Sequence, residues 1–419
     1  MQNSKLSSKQ KKILTLSILG TCLEFYDFTL FSVFAVQIGR TFFTSQDPLV
    51  STISALGAFA AGFLMRPLGA LVIGFIGDRY SRNKALSLSI ILMGFPALVV
   101  SVLPSYASIG IAAPILILFF RLIQGFSAGG EFNGAAIYIL ENLPGERKAF
   151  YSSLIATSGG LGAILAFLIG AFLSLDFMPD YAFRFAFLFG ASVSVVGFVL
   201  RRRTADESQE VKPKGEEQLS ILSKVFKHHK NSFITTFSIG ALDGALSYSV
   251  AGFISIYISQ FIGLNLSFSM AISALSLVFY IIATPLIAKI YDKLNAKRFF
   301  LLFFISFVFC VPLAFTLIQT ESIPMIILGQ LLVALMLSCF SGTQHAFMQN
   351  LFPKEVRYTG VAFGYNLGTC LLGGSSPMVL TWLLTKTNDL YIPVYYLISL
   401  SCFTGFMIFK TLLKNRSNA

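Results

Sequence analysis

The sequence is poor in charged residues. Asp, Glu, Lys and Arg together make up 12% of the 419 residues, whereas 55% are hydrophobic. A typical soluble domain has roughly 25% charged residues. A soluble fold of this size has too little interior to cover so much apolar surface, so we expect the excess to face lipid. The composition therefore predicts an integral membrane protein.

Cysteine and the common catalytic motifs are also scarce. The five cysteines lie far apart in apolar segments and have no paired spacing, which argues against a disulfide framework or a metal site. The sequence has no G-x-x-x-x-G-K-[ST] loop and no H-E-x-x-H motif, the usual signals of ATP binding and zinc proteolysis. We therefore predict that the protein is not an enzyme and that it binds no metal and no organic cofactor.

Long apolar runs dominate what is present. Twelve of them alternate with polar breaks, each near the length of about 20 residues that crosses a hydrocarbon core of about 30 Å. Backbone polar groups in lipid must be satisfied locally, so these spans are expected to be helices. The predicted spans are 13–38, 52–74, 85–104, 113–140, 149–173, 183–200, 232–261, 268–289, 299–319, 323–349, 359–384 and 391–412.

A charged stretch near mid-chain separates the first six spans from the last six. Residues 201–231 are rich in charge and poor in large apolar groups, a composition typical of a flexible linker. We therefore predict an all-α membrane protein of two six-helix bundles. The N-terminal bundle occupies 1–200, a cytoplasmic linker 201–231 and the C-terminal bundle 232–419.

The basic residues occupy alternate loops. With the N-terminus in the cytoplasm, 26 of the 31 Lys and Arg residues fall in cytoplasmic segments and three in external ones. The positive-inside rule then places both termini in the cytoplasm, with the protein in the inner (cytoplasmic) membrane of the cell. The net charge of +12 is accordingly interpreted as a topology signal, and no nucleic-acid partner is predicted.

Two types of loop occur in both halves. The loop at 74–86 (GFIGDRYSRNKAL) and the loop at 288–300 (AKIYDKLNAKRFF) share an aspartate followed by a base. The segments 141–148 (ENLPGERK) and 350–357 (NLFPKEVR) share a proline and a final base. The aspartates of the first pair lie 214 residues apart and the prolines of the second pair 209 residues apart. Because these two distances along the chain are nearly equal, they indicate duplication of a six-helix unit, a common construction in transporters.

These motifs carry a family resemblance. The loop GFIGDRYSRNKAL resembles the signature loop of the major facilitator superfamily, although Ser81 replaces the usual glycine and Asn83 a usual base. More narrowly, four segments resemble the metabolite:proton symporter family. They are LEFYDF (23–28), GFLMRPLGALVIGFIGDR (62–79), RLIQGFSAGGE (121–131) and FPKEVRYTGVAFGYNLG (352–368).

The resemblance implies a secondary transporter that works as a monomer and draws its energy from the proton gradient. Its solute would be a small carboxylated or zwitterionic molecule such as proline or betaine, imported together with protons. One alternative is a proton symporter for an organic acid such as oxoglutarate, citrate or shikimate. Another, from a different class, is a membrane sensor that does not transport.

Ionisable side chains inside the spans are costly and therefore point to function. Glu24 and Asp27 share one helix face, where desolvation and mutual repulsion favour keeping one of them protonated. Together with Glu131 they are the candidates for proton coupling. Arg121 can grip a carboxylate with both arms of its guanidinium, so the acidic pair and the solute compete for it. A fixed ion pair between Arg121 and the acids is the structural alternative.

Span 7 offers a site for a cationic group. Asp243 would attract the positive end of a zwitterion, and aromatic rings add a cation–π attraction of about 0.5–2 kcal/mol each. The candidate rings belong to Tyr26, Tyr248 and Tyr365, and ordinary tyrosine packing is the alternative. Arg66, near the cytoplasmic end of span 2, is interpreted as a structural residue.

The cytoplasmic loops supply a candidate gate. Exposed ion pairs are worth at most about 1 kcal/mol each, which suits a latch that breaks when the two halves rock. The gate residues would pair with one another or with a helix end, and the alternative is that they only set topology. They are Asp78, Arg79, Arg82, Glu141, Arg147, Asp292 and Arg357.

Overall fold

The fold is described from a computed structural model. The residues that the structure describes are 6–43, 48–143, 145–173, 177–202, 218–264, 266–320 and 322–417. These ranges are helical, with no β-strand among them.

The helices of the first half follow the predicted spans. Ser7 begins α1 with a capping box, in which its hydroxyl and the Gln10 side chain satisfy each other's backbone N–H groups. The helices are α1 (Ser8–Val33), α2 (Ala35–Phe42), α3 (Pro48–Arg79), α4 (Arg82–Val102), α5 (Tyr106–Ile109), α6 (Ala112–Asn142), α7 (Lys148–Leu173) and α8 (Phe183–Arg202).

The helices of the second half include short π-helical segments. One follows α10 at Ser249–Phe253, one follows α11 at Ile258–Ile262, and one follows α16 at Thr369–Gly374. The α-helices are α9 (Gln218–His228), α10 (Lys230–Tyr248), α11 (Ile254–Tyr257), α12 (Leu266–Tyr291), α13 (Ala296–Ile318), α14 (Ile323–Ser341), α15 (Gln344–Met348), α16 (Arg357–Gly368), α17 (Ser376–Thr387) and α18 (Ile392–Ser417).

The number of spans matches the prediction. Ten helices of the described residues are long and apolar enough to cross a membrane. A pair bent by 49°, Lys230–Ala251 with Ile254–Ile262, forms an eleventh span, and Phe183–Val199 is a shorter apolar helix at the sixth predicted position. The twelve-helix fold is therefore confirmed.

Four predicted spans are not uninterrupted α-helices. Span 10 is divided between α14 and α15, and span 11 contains the π-helical segment Thr369–Gly374. Span 1 was expected to run over 13–38, but α1 ends at Val33 and Phe34 has non-helical angles (φ −95°, ψ 18°) before α2 begins. Span 7 was expected to be one helix over 232–261, but π-helical turns interrupt it. Hydropathy reports only how long an apolar run is, so none of these breaks was visible in it.

The chain forms two compact units by its internal contacts. Unit 1 comprises Met1–Leu143 and Ser158–Ile221, and unit 2 comprises Pro144–Thr157 and Leu222–Ala419. The first turns of α7 thus belong to unit 2 and the rest of the helix to unit 1. Of the predicted linker, 203–217 lies outside the described residues, and α9 is a helix in its remainder.

Each unit has its own packing. In unit 1, α3 packs along α6, α4 packs against α8, and an apolar core of Phe, Ile and Leu side chains joins these helices to α1. In unit 2, α10 packs against α16 and α18, while α14 contacts α12 and α13. Large apolar side chains such as Leu64, Phe309 and Phe406 are exposed on the helices, as expected where lipid is the solvent.

Candidate functional site

A buried polar relay joins α1 to α6 in unit 1. Arg121 is only 1% exposed and donates from one terminal nitrogen to Oε1 of Gln124, 2.8 Å away. The side-chain nitrogen of Gln124 in turn donates to Oδ2 of Asp27. Arg121 and Gln124 are three residues apart, so they share one face of α6. The predicted neighbours Arg121 and Asp27 are therefore brought together, with an amide between them.

Gln124 is a residue of the candidate site that sequence reasoning missed. A direct contact between Arg121 and the acidic pair was expected, whether exchanged with the solute or fixed, whereas the structure shows a bridged arrangement. The signal was present in the segment RLIQG, where a glutamine follows the arginine at helical spacing. Because an amide can both accept and donate, Gln124 can bond the guanidinium and the carboxylate at the same time.

Aromatic rings line the guanidinium of Arg121. Its central carbon lies 4.2 Å from the ring centroid of Phe31, 5.2 Å from that of Phe28 and 5.3 Å from that of Phe59. The planar guanidinium is weakly hydrated and tolerates such surroundings better than an ammonium group. The rings exclude water on these sides and leave the charge for polar partners.

The other predicted residues of unit 1 lie apart from the relay's hydrogen bonds. Glu24 lies one turn before Asp27, and both are buried on the same side of α1, as their spacing predicts. Glu131 is buried nearly three turns beyond Arg121 on α6. Tyr26 donates its hydroxyl to the carbonyl of Ala186, at 3.0 Å, within the apolar core.

A second buried carboxyl group lies in unit 2. Asp243 of α10 is 3% exposed, and its Oδ2 accepts a hydrogen bond of 2.5 Å from the hydroxyl of Tyr365 on α16. The two helices touch here, because a Cβ on Gly240 would lie 2.1 Å from the carbonyl oxygen of Tyr365. Only glycine allows this approach, which fixes the tyrosine against the carboxyl.

Neutral polar groups surround Asp243. Ser341 and Gln344 border the carboxyl, and the hydroxyl of Tyr280 donates to Ser341 Oγ at 3.2 Å. The half-buried Tyr248 lies beside this cluster. Among the described residues, no lysine or arginine forms an ion pair with Asp243. The structure thus brings together Asp243, Tyr248 and Tyr365 as predicted, whereas Tyr26 belongs to the other unit.

Gln330 lies 209 residues after Arg121, the same distance that separates the repeated segments 141–148 and 350–357, so it is the repeat partner of Arg121 and is neutral. Gln330 on α14 is fully buried and donates to Ser273 Oγ at 2.7 Å. Ser273 also hydrogen-bonds Ser255, at 3.1 Å. The two units therefore differ in charge at matching positions of the duplication.

In unit 1, the loop between α3 and α4 holds an ion-pair network. Arg82 pairs with Asp78 and forks onto Glu141, with distances of 3.2 Å and 3.3 Å to the two carboxylate oxygens. Ser81, which replaces the family's glycine, caps α4 by accepting from the N–H of Lys84 at 3.1 Å. Three of the predicted gate residues, Asp78, Arg82 and Glu141, therefore pair with one another here.

In unit 2, the corresponding loop meets a helix end. The two carboxylate oxygens of Asp292 accept the N–H groups of Ala149, at 2.8 Å, and Phe150, at 2.9 Å, in the first turn of α7. Burial raises the pKa of Asp292, while these two donors and the charge of Arg147 act in the opposite direction. Arg147 therefore lies near Asp292.

The last two gate candidates have local partners. Arg79 stacks on the rings of Phe75 (5.4 Å) and Tyr80 (5.8 Å). Arg357 donates from Nε to the carbonyl of Phe352 at 3.3 Å, which holds the turn before α16. Their role in gating stays a prediction.

Comparison with known proteins places this architecture in a family. The model of the Major Facilitator Superfamily matches residues 17–377 and 236–417. A protein of Staphylococcus haemolyticus (strain JCSC1435) that carries a proline/betaine transporter name is 30% identical over 96% of this chain and 87% of its own length. The proline/betaine transporter of Salmonella typhimurium (strain LT2) is 29% identical over 93% of this chain and 81% of its own length.

A solved structure shares the fold. The proton:xylose symporter XylE, bound to 6-bromo-6-deoxy-D-glucose, superposes with a TM-score of 0.78 over 96% of both chains at 13% identity. At that identity the likeness concerns the fold alone. The family model, the relatives and the twelve-span architecture agree with the resemblance drawn from the motifs. The chain belongs to the Major Facilitator Superfamily and is a multi-pass membrane transporter of small solutes, not an enzyme.

Proposed function

We propose that this protein is a proton-coupled symporter that imports a small carboxylated or zwitterionic solute of the proline/betaine type. The observation that carries the proposal is the buried relay from Asp27 through Gln124 to Arg121. It connects a group that can take up a proton to a group that can bind a carboxylate. The relatives named for proline and betaine support the solute class.

The relay couples the two events through charge. When Asp27 is ionised, Gln124 donates to it and turns its oxygen toward Arg121, so the arginine is engaged. When Asp27 takes up a proton, its negative charge and its attraction for Arg121 are lost. The guanidinium then prefers another anion, and the solute carboxylate fits its two-armed geometry. Proton and solute therefore bind together, which is what symport requires.

The cluster of unit 2 suits a cationic group. Asp243 is a buried carboxyl bordered by hydroxyl groups and an amide, and Tyr248 and Tyr365 add aromatic faces. Such surroundings attract an ammonium or quaternary ammonium group. Of the predicted ligands of this cationic group, Tyr26 receives the least support, because its hydroxyl is already bonded in the core of unit 1.

The loops act as the gate in this proposal. The network of Asp78, Arg82 and Glu141, and the cap of Asp292 on α7, consist of interactions that can break and reform. Each contact lies within one unit and would hold its own loop in place until solute and proton are bound. The protein lies in the cytoplasmic membrane as a monomer, with both termini inside, and its energy comes from the proton gradient.

Uptake into proteoliposomes tests the proposal. Labelled proline, glycine betaine, oxoglutarate, citrate and shikimate would be offered with and without an inward proton gradient. We expect proline or betaine to accumulate and a protonophore to abolish the accumulation. Accumulation of an organic acid instead would select the alternative solute class, and uptake that ignores the gradient would refute symport.

A further inference from the structure

Arg66 is a buried cation whose contacts are aromatic. It lies on α3, is 7% exposed, and places its guanidinium carbon 4.5 Å from the ring centroid of Phe28 and 4.7 Å from that of Phe63. Its Nε has no hydrogen-bond partner. In the part of the chain that the structure describes, no acidic side chain lies within ion-pair distance of it.

A structural arginine would be placed differently. An arginine cannot lose its proton in a protein, and a buried charge is stable only when it is paired and hydrogen-bonded. Arg184 shows that alternative in this chain. It also lies against rings, those of Phe42 and Phe183, but it donates to the carbonyls of Ser101 and Leu103.

Arg66 lies beside the relay. The Phe28 ring that it contacts at 4.5 Å also lies 5.2 Å from the guanidinium carbon of Arg121. The two cations therefore share one aromatic ring. Asp27 is joined by hydrogen bonds through Gln124 to Arg121 and not to Arg66. Two like charges this close repel each other unless an anion lies between them.

The backbone keeps the two arginines together. A Cβ on Gly129 of α6 would lie 2.0 Å from the carbonyl oxygen of Arg66, so α3 and α6 touch directly at this point. Arg121 lies two turns earlier on the same α6. The position of Arg66 relative to Arg121 is thus set by close helix packing, and flexible loops have no part in it.

We propose that Arg66 is the second half of the carboxylate subsite, so that the solute carboxylate is held between Arg66 and Arg121 beside the ring of Phe28. This inference rests on the proposed function, because it assumes a carboxylated solute. It assigns to Arg66 a role in specificity, where the sequence suggested a structural one. Two guanidinium groups bind a full negative charge more strongly than a neutral group, so the site selects carboxylates over uncharged analogues of the same shape.

Equilibrium binding to the purified full-length protein tests this assignment. Labelled proline is displaced by unlabelled proline or by prolinamide, in which an uncharged amide replaces the carboxylate. We expect the wild type to bind proline at least tenfold more tightly than prolinamide. In Arg66→Gln, proline affinity should fall about 10- to 100-fold, the range for a lost charge-assisted hydrogen bond, while prolinamide affinity changes little. Arg66→Lys keeps the positive charge and loses the two-armed guanidinium, so its proline affinity should lie between those of the wild type and Arg66→Gln.

Arg184→Gln is the matched control. It also removes a ring-stacked arginine, so it should lower the melting temperature and leave the proline-to-prolinamide ratio unchanged. The assignment is overturned if Arg66→Gln and Arg66→Lys keep wild-type proline affinity, or if Arg66→Gln weakens both compounds equally. If Arg66→Gln does not fold, Arg66→Lys alone decides. A wild type that binds neither proline, betaine nor oxoglutarate refutes the proposed function itself, a result distinct from unaffected Arg66 variants.

Discussion

The two units each bury an aspartate in the first membrane-spanning helix of their half, yet they surround it in opposite ways. In unit 1, Asp27 is joined through Gln124 to the permanent cation Arg121. In unit 2, Asp243 accepts from the phenol of Tyr365 and has neutral neighbours. The structure thus keeps the duplicated scaffold and changes the charge that faces each carboxyl.

The difference suggests a division of labour. A carboxylate linked to an arginine exchanges its charge partner when it is protonated, so unit 1 is suited to coupling a proton to an anion. A carboxyl group surrounded by hydroxyl groups has no cationic side chain as a partner, so unit 2 is suited to binding the cationic group of a solute. This comparison makes definite predictions, because the same substitution in the two units should have different effects.

The largest effect is expected from replacing Asp27. Asp27→Asn cannot exchange the proton, so uptake should no longer respond to a pH gradient, whereas each pH unit is worth about tenfold accumulation per proton in the wild type. Asp243→Asn should keep the response to the gradient and weaken solute binding. The measurement is uptake into proteoliposomes at a series of imposed gradients. Asp180 is exposed, so Asp180→Asn is the control and should behave as the wild type. A gradient response that persists in Asp27→Asn would contradict the role of unit 1 in proton coupling.

The next effect should come from breaking the relay. Gln124→Leu leaves Asp27 and Arg121 in place and removes the amide that accepts from Arg121 and donates to Asp27. We expect a loss of transport of about 10- to 100-fold, because buried charged groups lose hydrogen bonds worth about 1.5–3 kcal/mol each. Initial uptake rates measure this. Gln330→Leu is the matched change in unit 2, and equal losses in both variants would argue that Gln124 only supports packing.

A smaller effect is expected at Tyr365. Tyr365→Phe removes the hydroxyl that donates to Asp243 and keeps the ring. The substitution removes one hydrogen bond and none of the site's charge. A hydrogen bond contributes about 1 kcal/mol net, so the apparent KM should change about fivefold, with the proton dependence intact. Tyr26→Phe, which removes a hydroxyl bonded only in the core of unit 1, serves as the control. A change in proton dependence in Tyr365→Phe would contradict the division of labour.

The smallest effect concerns Asp292 and is a matter of stability. Asp292→Ala removes the cap of α7 and should cost about 1 kcal/mol, whereas Asp292→Asn keeps an acceptor oxygen and should cost less. Because the pKa of Asp292 is raised in the folded protein, its contribution is fully present below the unfolded pKa and is lost as pH rises through the folded one. The wild type should therefore gain stability relative to Asp292→Asn as pH falls.

Melting temperatures in detergent across neutral and acid pH check this last prediction. Asp389, which accepts from the N–H of Tyr391 at a turn, provides the control Asp389→Asn. A difference between wild type and Asp292→Asn that grows as pH rises in favour of the wild type would show that the cap outweighs the burial of the charge.

The sequence by itself determined the properties that depend on composition and local order. The twelve apolar runs gave the number of spans, because a bilayer of fixed thickness demands a fixed helix length. The repeated loops and four motifs led to the family, which the comparisons confirm. The spacing of Glu24 and Asp27 was enough to place both on one buried face.

Only the tertiary structure decided which side chains of different helices contact one another. Three contacts join residues from different helices. Gln124 bonds Asp27, Arg66 lies on the Phe28 ring that Arg121 also contacts, and Asp292 caps the first turn of α7. Apolar runs carry no information about how helices rotate against one another, since lipid accepts every apolar face equally. Close contacts at a few glycines fix that rotation, and only in the folded chain does Arg66 become a neighbour of the site.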